Sequence, residues 1–332
     1  MYRFCLAVVA AAACAFAGAS QAAEWRVQRL DTPARVTAIE TIGGQTLVMA
    51  GGLWYRIELT GPKARLVFVE APPQPERPEG ALPDGRVAYG TRNIVRTWLS
   101  EPTRRYGHGV LGDAIEAGAL EIETRGGHRQ TIRLKDDAVF EDLQPRLADL
   151  DGDGIDEIVV VKAYLARGAS LAVIADRNGK YEIVAETPPL GQPNRWLDPA
   201  GIADFNGDGK LEIALVRQPH VVGALELWGW AGTTMRKIAE LPGVSNHAIG
   251  SRAIDMSAVA DFDGDGIADL AVPSLDRRRL RFISFVSGAR EIAVVALPAQ
   301  AVTNLALVSN IAKPAVIAAG LADGSLVLIR RD

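Results

Sequence analysis

The sequence predicts an all-β protein built from repeated, few-stranded units. The 33 glycines and 18 prolines are spread along the whole 332-residue chain, which favours many turns and short strands over long helices. One acidic loop pattern occurs three times, with starts at residues 149, 204 and 261. Each copy runs directly into a short β-rich stretch, and two more such stretches follow it. One repeat therefore takes about 55 residues and three or four strands.

Composition places the chain among folded proteins and excludes one class of partner. Hydrophobic residues make up 48% of it, which is enough for a large buried core. The 36 Lys and Arg residues are outnumbered by 40 Asp and Glu, for a net charge of −4. A chain without a broad basic surface is not expected to bind nucleic acid.

The first 22 residues have the pattern of a secretory signal peptide. A basic start, Met1–Arg3, precedes the apolar run Phe4–Ala19, and Ser20-Gln21-Ala22 offers small residues at the positions that a signal peptidase reads. Cleavage after Ala22 predicts an exported chain, 23–332, that is periplasmic or secreted. Two alternatives stay open, namely an uncleaved anchor and a lipoprotein anchor at Cys14.

The two cysteines of the chain, Cys5 and Cys14, both lie within this segment. The exported form would therefore contain no disulfide, no thiolate metal ligand and no cysteine nucleophile. Its stability would have to come from packing or from bound metal.

The three acidic loops have the residue types that a calcium ion prefers. Oxygen-bearing side chains stand at loop positions 1, 3, 5 and 9, and glycines stand at positions 4 and 6. Calcium takes about six to eight oxygen ligands, and no loop contains the His or Cys typical of zinc or copper sites. We expect position 7 to contribute its main-chain carbonyl. The predicted ligands are Asp149, Asp151, Asp153, Ile155 and Glu157; Asp204, Asn206, Asp208, Lys210 and Glu212; and Asp261, Asp263, Asp265, Ile267 and Asp269.

Charge density also favours a bound cation. The three nine-residue loops hold 12 of the 40 acidic residues of the chain. Carboxylates packed this closely repel one another unless a cation lies among them. We therefore expect about three Ca²⁺ ions; the alternative is three acidic surface turns without metal.

The surroundings of the loops separate them from EF-hands. Position 12, where an EF-hand has Glu, is Val160, Leu215 or Val272, and β-rich stretches replace the flanking helices. The repeats resemble the FG-GAP/VCBS repeats of integrin α-chain-like β-propellers, whose calcium loops read DxDxDGxxD. Two loops differ by a Glu at position 9 and one by an Asn at position 3. The resemblance is clearest over residues 145–300, and it implies a calcium-binding β-propeller.

The flanking sequence predicts further blades without an acidic loop. Residues 34–70 and 86–135 each provide strand-like stretches for one blade, and residues 303–330 provide three strands for another. We expect Trp25–Leu30 to add the missing fourth strand and to close the ring. We therefore predict six blades in a single domain over residues 23–332. The number would be seven if residues 86–148 form two blades instead of one.

Two segments stand out as a candidate ligand site. Residues 96–116 and 246–252 concentrate aromatic, basic and acidic side chains. They predict an anion or sugar pocket; the alternative is a long connection held by its own hydrogen bonds. The candidate residues are Arg104, Arg105, Tyr106, His108, Asp113, His247 and Arg252.

The function favoured by these patterns is a non-enzymatic interaction or ligand-binding scaffold. We expect a monomer that binds a protein or carbohydrate ligand. No catalytic motif is recognisable, so no catalytic residue is predicted. The alternative is a carbohydrate-active hydrolase or lyase near His108 and His247, which would require His108, Asp113, Glu116 or His247 to converge near the axis. The run Arg277–Arg279 predicts a solvated turn.

Overall fold

The computed structural model describes residues 24–74, 76–308 and 315–331. The predicted signal peptide, residues 1–22, lies outside these described residues. Every regular element in the described ranges is a β-strand, which confirms the all-β prediction. The same ranges hold no helix that is long and apolar enough to cross a bilayer.

The strands are short and follow one another through tight turns, as the distribution of glycine and proline predicts. In chain order they are β1 (Trp25–Leu30), β2 (Val36–Ile42), β3 (Gln45–Ala50), β4 (Leu53–Thr60), β5 (Lys63–Val69), β6 (Ala88–Tyr89), β7 (Ile94–Thr103), β8 (Glu116–Thr124), β9 (Arg129–Arg133), β10 (Ala138–Phe140), β11 (Arg146–Ala148), β12 (Glu157–Tyr164), β13 (Gly168–Asp176), β14 (Tyr181–Glu186), β15 (Leu197–Ala203), β16 (Glu212–Arg217), β17 (Ala224–Ala231), β18 (Thr234–Pro242), β19 (Ala258–Ala260), β20 (Asp269–Pro273), β21 (Arg279–Ser284), β22 (Arg290–Ala296), β23 (Ala301–Leu307), β24 (Val316–Leu321) and β25 (Leu326–Arg331).

The strands pair as antiparallel groups of four. Four sheets have the orders β2-β3-β4-β5, β15-β16-β17-β18, β19-β20-β21-β22 and β1-β25-β24-β23. A nine-stranded sheet contains two more groups, β6 to β9 and β11 to β14. Strand β10 joins these two groups because it pairs with both β8 and β12.

The first strand of the chain completes the last sheet, as the sequence predicts. Strand β1 pairs antiparallel with β25, with Trp25 opposite Arg331 and Leu30 opposite Leu326. The indole of Trp25 stacks on the ring of Phe282 at 3.8 Å between ring centroids. The N-terminal strand is therefore held both by the hydrogen bonds of the sheet and by the neighbouring sheet.

The core lies between sheets that pack face to face. The second and third strands of the groups, such as β12 and β13, are buried along nearly their whole length. The fourth strands alternate between exposed and half-buried residues, as in β9 and β18. Burial of both faces requires a neighbouring sheet on each side. One such contact joins Phe205 and Phe285, whose rings meet edge to face at 5.5 Å.

Two features differ from the sequence-based expectation. A short strand precedes each acidic loop, namely β11, β15 and β19, and the strand-like stretches predicted from the sequence do not include these three. The segment at 96–116 is only partly a loop, because β7 extends to Thr103 and β8 begins at Glu116. The irregular connection is therefore limited to residues 104–115.

Candidate functional site

The three acidic loops occupy equivalent places in three successive groups of strands. They connect β11 to β12, β15 to β16 and β19 to β20, so each joins the first strand of a group to the second. Because these two strands pair directly, the ends of each loop are held close together. The sheet thus fixes the loop before any ligand binds.

One pattern of main-chain hydrogen bonds recurs in all three loops. The position 1 carboxylate accepts a bond from the amide of position 6, at 3.0 Å from Gly154 to Asp149, 2.9 Å from Gly209 to Asp204 and 3.0 Å from Gly266 to Asp261. The position 5 carboxylate accepts from the amide of position 7 at 2.7, 2.9 and 2.9 Å. These bonds wind each loop around its own carboxylates.

Glycine is required at the tightest points of this winding. The glycines at loop position 6 have φ of 87°, 84° and 89°, and those at position 4 have φ of 78°, 79° and 92°. Side chains other than glycine rarely adopt this left-handed region. The two glycines of each loop therefore allow the curvature that brings the carboxylates together.

The position 9 acid anchors each loop to the sheet. Glu157, Glu212 and Asp269 begin the strands β12, β16 and β20 and are buried. Each carboxylate accepts a hydrogen bond from the main-chain amide of position 2, at 2.8, 3.0 and 2.9 Å. The acid that closes the predicted ligand set is thus held on the rigid side of the loop.

Carboxylates converge in every loop. In each group below, one oxygen from each residue lies within 4.8 Å of the others. The groups are Asp149, Asp151 and Glu157; Asp204, Asp208 and Glu212; and Asp261, Asp263 and Asp265. This convergence is expected of a site for a hard cation, since every side-chain donor is an oxygen.

Without a bound cation, the carboxyl groups of these clusters are harder to ionise than free ones. Burial, together with the neighbouring aspartates, raises the pKa of Glu157 to about 7 and that of Asp269 to about 6. The pKa of Glu212 is raised for the same reason. Asp149 Oδ1 and Asp269 Oδ1 are buried and have no hydrogen-bond partner among the described residues. A divalent cation in each of these two loops would give both oxygens a partner, so the residues of the loops fit the ion.

The structure does not bring all the candidate residues of the anion or sugar pocket to one place. Tyr106 is buried, and its hydroxyl accepts a hydrogen bond from the amide of Asn194 at 3.0 Å. Arg105 instead donates to the carbonyl of Ala138 at 2.6 Å. Arg104 is exposed. The two arginines therefore do not join Tyr106 at one site.

The two segments singled out in the sequence do meet. The amide of Gly250 donates to the carbonyl of Val110 at 2.8 Å. Arg252 forms ion pairs with Asp113 at 3.1 Å and with Asp84 at 3.0 Å. These contacts bring residues 104–115 and 246–252 to the same place, although they belong to different sheets.

Histidines gather beside this junction, around the buried indole of Trp196. His247 and His220 both contact this ring, at 4.8 and 6.2 Å between centroids. Trp196 Nε1 donates to the carbonyl of Glu141 at 3.0 Å, and the carboxyl of Glu141 lies 2.6 Å from His108 Nδ1. Sequence reasoning missed Glu141, Trp196 and His220, because each is a lone residue in a different connection.

Comparison with known families agrees with this geometry. The fold and the acidic loops define an all-β repeat protein whose sheets present oxygen-lined, metal-type loops. The FG-GAP-like repeat family matches residues 149–215 and 204–272. Each match contains two successive acidic loops, so residues 149–272 carry FG-GAP-like repeats, as the sequence predicts. No curated protein matches the chain.

Proposed function

We propose that the protein is an exported, calcium-binding β-propeller that acts as a non-enzymatic scaffold for a protein or carbohydrate ligand. The observation that carries this proposal is the repetition of one loop framework in three groups of strands. Independent turns would not be expected to share the same hydrogen bonds and the same left-handed glycines, each time around a group of converging carboxylates. FG-GAP repeats are typical of extracellular proteins, which supports export.

Six blades agree with the six groups of four strands. Successive groups are in contact at five of the six junctions. At four of them the first strands touch each other, as β6 and β11 do and as β23 and β2 do. At the fifth, β15 touches β12, the second strand of the preceding group. At the sixth junction, Arg86 before β6 pairs with Glu40 of β2 at 3.2 Å. Arg86 also lies 3.4 Å from Asp255, which precedes β19 three groups further along the chain. A contact between groups so far apart favours a closed ring with these residues at its centre.

Calcium is the cation that the loops support best. Magnesium prefers fewer protein ligands in strict octahedral geometry, whereas calcium accepts crowded and irregular oxygen shells. When an ion is bound, its charge would offset the repulsion among the carboxylates of the loop. This chain's own contribution is to hold those carboxylates in place, so that binding energy adds to the stability of the folded state.

Calorimetric titration of the exported form, residues 23–332, with Ca²⁺ tests this proposal. We expect about three sites, and we expect a chelator to lower the melting temperature. Asp153→Asn should weaken calcium binding at one site, because a neutral amide replaces a predicted anionic ligand. Asp156→Asn is the matched control, since this acid of the same loop is paired with Arg92 at 2.7 Å. Absence of binding heat, or equal loss in both variants, would contradict the proposal.

Export needs its own measurement. N-terminal sequencing of the protein recovered outside the cytoplasm should begin at Ala23, which directly follows the predicted cleavage site. Recovery with lipid attached at Cys14, or with the first 22 residues retained, would support one of the two anchors instead.

One observation favours the alternative of a carbohydrate-active enzyme. His247 contacts Trp196 directly, and His108 reaches the same indole through Glu141. Its two acids are less suited, because Asp113 is paired with Arg252 and burial raises the pKa of Glu116 to about 10. Turnover of a polysaccharide that His247→Ala abolishes would establish the enzyme; equal turnover in both forms would dismiss this site.

A further inference from the structure

A group of basic and aromatic side chains lies around Trp196 and comes from five connections between strands. We define the Trp196 cluster as Trp196 with His108, His220, His247, Arg195 and Arg277. Trp196 is nearly fully buried, and its carbonyl accepts a hydrogen bond from the amide of Gln218 at 2.9 Å. That bond fixes the β16–β17 connection, which carries His220, against the β14–β15 connection, which carries Trp196.

The hydrogen bonds of the cluster assign the tautomers of its histidine pair. His247 Nε2 lies 3.0 Å from the carbonyl of Ser251, which can only accept, so this nitrogen carries the proton. His247 Nδ1 must then accept from His220 Nε2, which lies 2.9 Å away. His220 Nδ1 is left without a hydrogen-bond partner among the described residues. Hydrogen bonds thus orient the histidine pair, and one ring nitrogen remains available to a ligand.

Two arginines of the cluster carry charge that the described protein does not neutralise. Neither Arg195 nor Arg277 has a carboxylate within ion-pair distance among the described residues. Arg277 Nη1 donates to the carbonyl of His247 at 3.4 Å, and its Nε is buried without a partner there. A half-buried guanidinium with an unsatisfied donor favours an anion.

Nearby acids do not supply that anion. The carboxyl of Glu141 is fully buried and contacts His108, and Asp113 is paired with Arg252. Asp276, the neighbour of Arg277, accepts bonds from the Ser274 hydroxyl and from the amide of Arg278. The charge that remains at the cluster is therefore that of the arginines. Burial first, then His247 and Arg277, lower the pKa of His220.

Backbone strain marks the same connections. Asn194, Gln218 and Arg277 adopt φ of 56°, 50° and 55°, a left-handed conformation that side chains other than glycine rarely take. Each stands in a connection that carries a residue of the cluster. Strained residues of this kind persist where the surrounding structure holds them and are concentrated at ligand sites.

A cation is a poor fit here. The imidazole nitrogens of His220 and His247 face each other along one hydrogen bond, whereas metal ligands converge on a common point. Among the described residues, the groups with three suitable ligands within 4.8 Å of one another are all in the acidic loops. Two unpaired guanidinium groups would also repel a metal ion.

We propose that the Trp196 cluster binds an oxyanion, the carboxylate or phosphate group of a ligand, through the guanidinium group of Arg277. His220 lies beside this anion and presents its free nitrogen to the remainder of the ligand. This inference names the ligand class of the scaffold proposed above. It does not depend on calcium, because it uses none of the residues of the acidic loops.

Titration of the calcium-loaded protein with inorganic phosphate, galacturonate and galactose tests the proposal. We expect the two anions, or one of them, to bind and the neutral sugar not to bind. Binding of phosphate alone would assign a phosphorylated ligand, and binding of galacturonate alone would assign an acidic saccharide. Failure of both anions, or equal binding of galactose, would overturn the proposal.

Variants in one turn provide matched controls. Arg277→Gln should weaken anion binding at least about tenfold, since a charge-assisted hydrogen bond is lost, and Arg277→Lys should retain part of it. Arg278→Gln should bind as the wild type does, because Arg278 is exposed. Perturbation of the His220 imidazole signals in NMR spectra locates the anion. Calcium stoichiometry, measured on the same samples, shows whether each variant is folded and keeps failure of this proposal distinct from failure of the calcium proposal.

Discussion

Replacement of Trp25 by alanine tests whether the N-terminal strand and the third acidic loop stabilise each other. Trp25 stacks on Phe282 and also contacts Phe262, the second residue of that loop, at 6.2 Å between centroids. Arg331, opposite Trp25 in the sheet, donates to the carbonyls of Phe262 and Asp263 at 3.1 and 3.0 Å. Strand and loop are thus connected through two side chains.

The expected magnitude follows from the burial of the indole. Truncation of a fully buried Trp to Ala costs about 3–5 kcal/mol. Trp25 is half-buried, so we expect Trp25→Ala to lower the free energy of unfolding by about 2 kcal/mol. Contacting sites couple by about 0.5–3 kcal/mol, whereas distant sites add within about 0.5 kcal/mol.

A double-mutant cycle in urea, at saturating calcium, measures this coupling. Trp25→Ala combined with Asp265→Ala should depart from additivity, because Asp265 belongs to the third loop. Trp25→Ala combined with Asp153→Ala should be additive, because Asp153 belongs to the first loop. Hydrogen exchange should show the same contrast, with faster exchange in β1 for Asp265→Ala alone. Equal coupling to both loops, or to neither, would show that β1 and the third loop do not stabilise each other specifically.

Three further outcomes are expected. Chelation should lower the melting temperature of the wild type, and calcium should restore it; thermal melts with and without chelator measure this. Protons compete with calcium for Glu157 and Asp269, whose pKa values are raised to about 7 and about 6, so calcium affinity should fall as the pH drops through that range and should level off above it; titration across pH measures this. Without calcium, the same raised pKa values make the folded state bind more protons than the unfolded state, so stability should decrease as the pH rises from about 4.5 to 7; urea unfolding of the chelated protein at several pH values checks the sign.

The acidic loops could be predicted because their chemistry is local. All the ligand side chains of one loop lie within nine residues, and the glycines that shape the loop are among them. Repetition then separates a structural unit from a chance acidic turn. The fourth strand of the last sheet was also predictable, since that sheet was one strand short and Trp25–Leu30 is a strand-like stretch.

The strands before the loops were not predictable from local pattern. Ala258–Ala260 has only three residues, and β15 contains Asp, Pro and Gly, which are uncommon in strands. These segments become strands because a partner strand and a neighbouring sheet hold them. The information that fixes them is therefore distributed over the fold.

The Trp196 cluster was hidden for a related reason. Its residues come one at a time from separate connections, so no spacing in the sequence relates them. Arg277 lies in a run of three arginines that predicts a solvated turn, and Arg278 and Arg279 are indeed exposed. Arg277 differs from them because its backbone is left-handed and its side chain contacts His247.

The pairing of β1 with β25 has a consequence for assembly. The last sheet combines the first strand of the chain with the last three, so it has an open edge at β25 whenever β1 is not docked. An open edge accepts any strand of matching pattern, including β1 from a second copy. Domain-swapped dimers, formed when concentrated protein refolds, are therefore the characteristic misassembly that this topology allows.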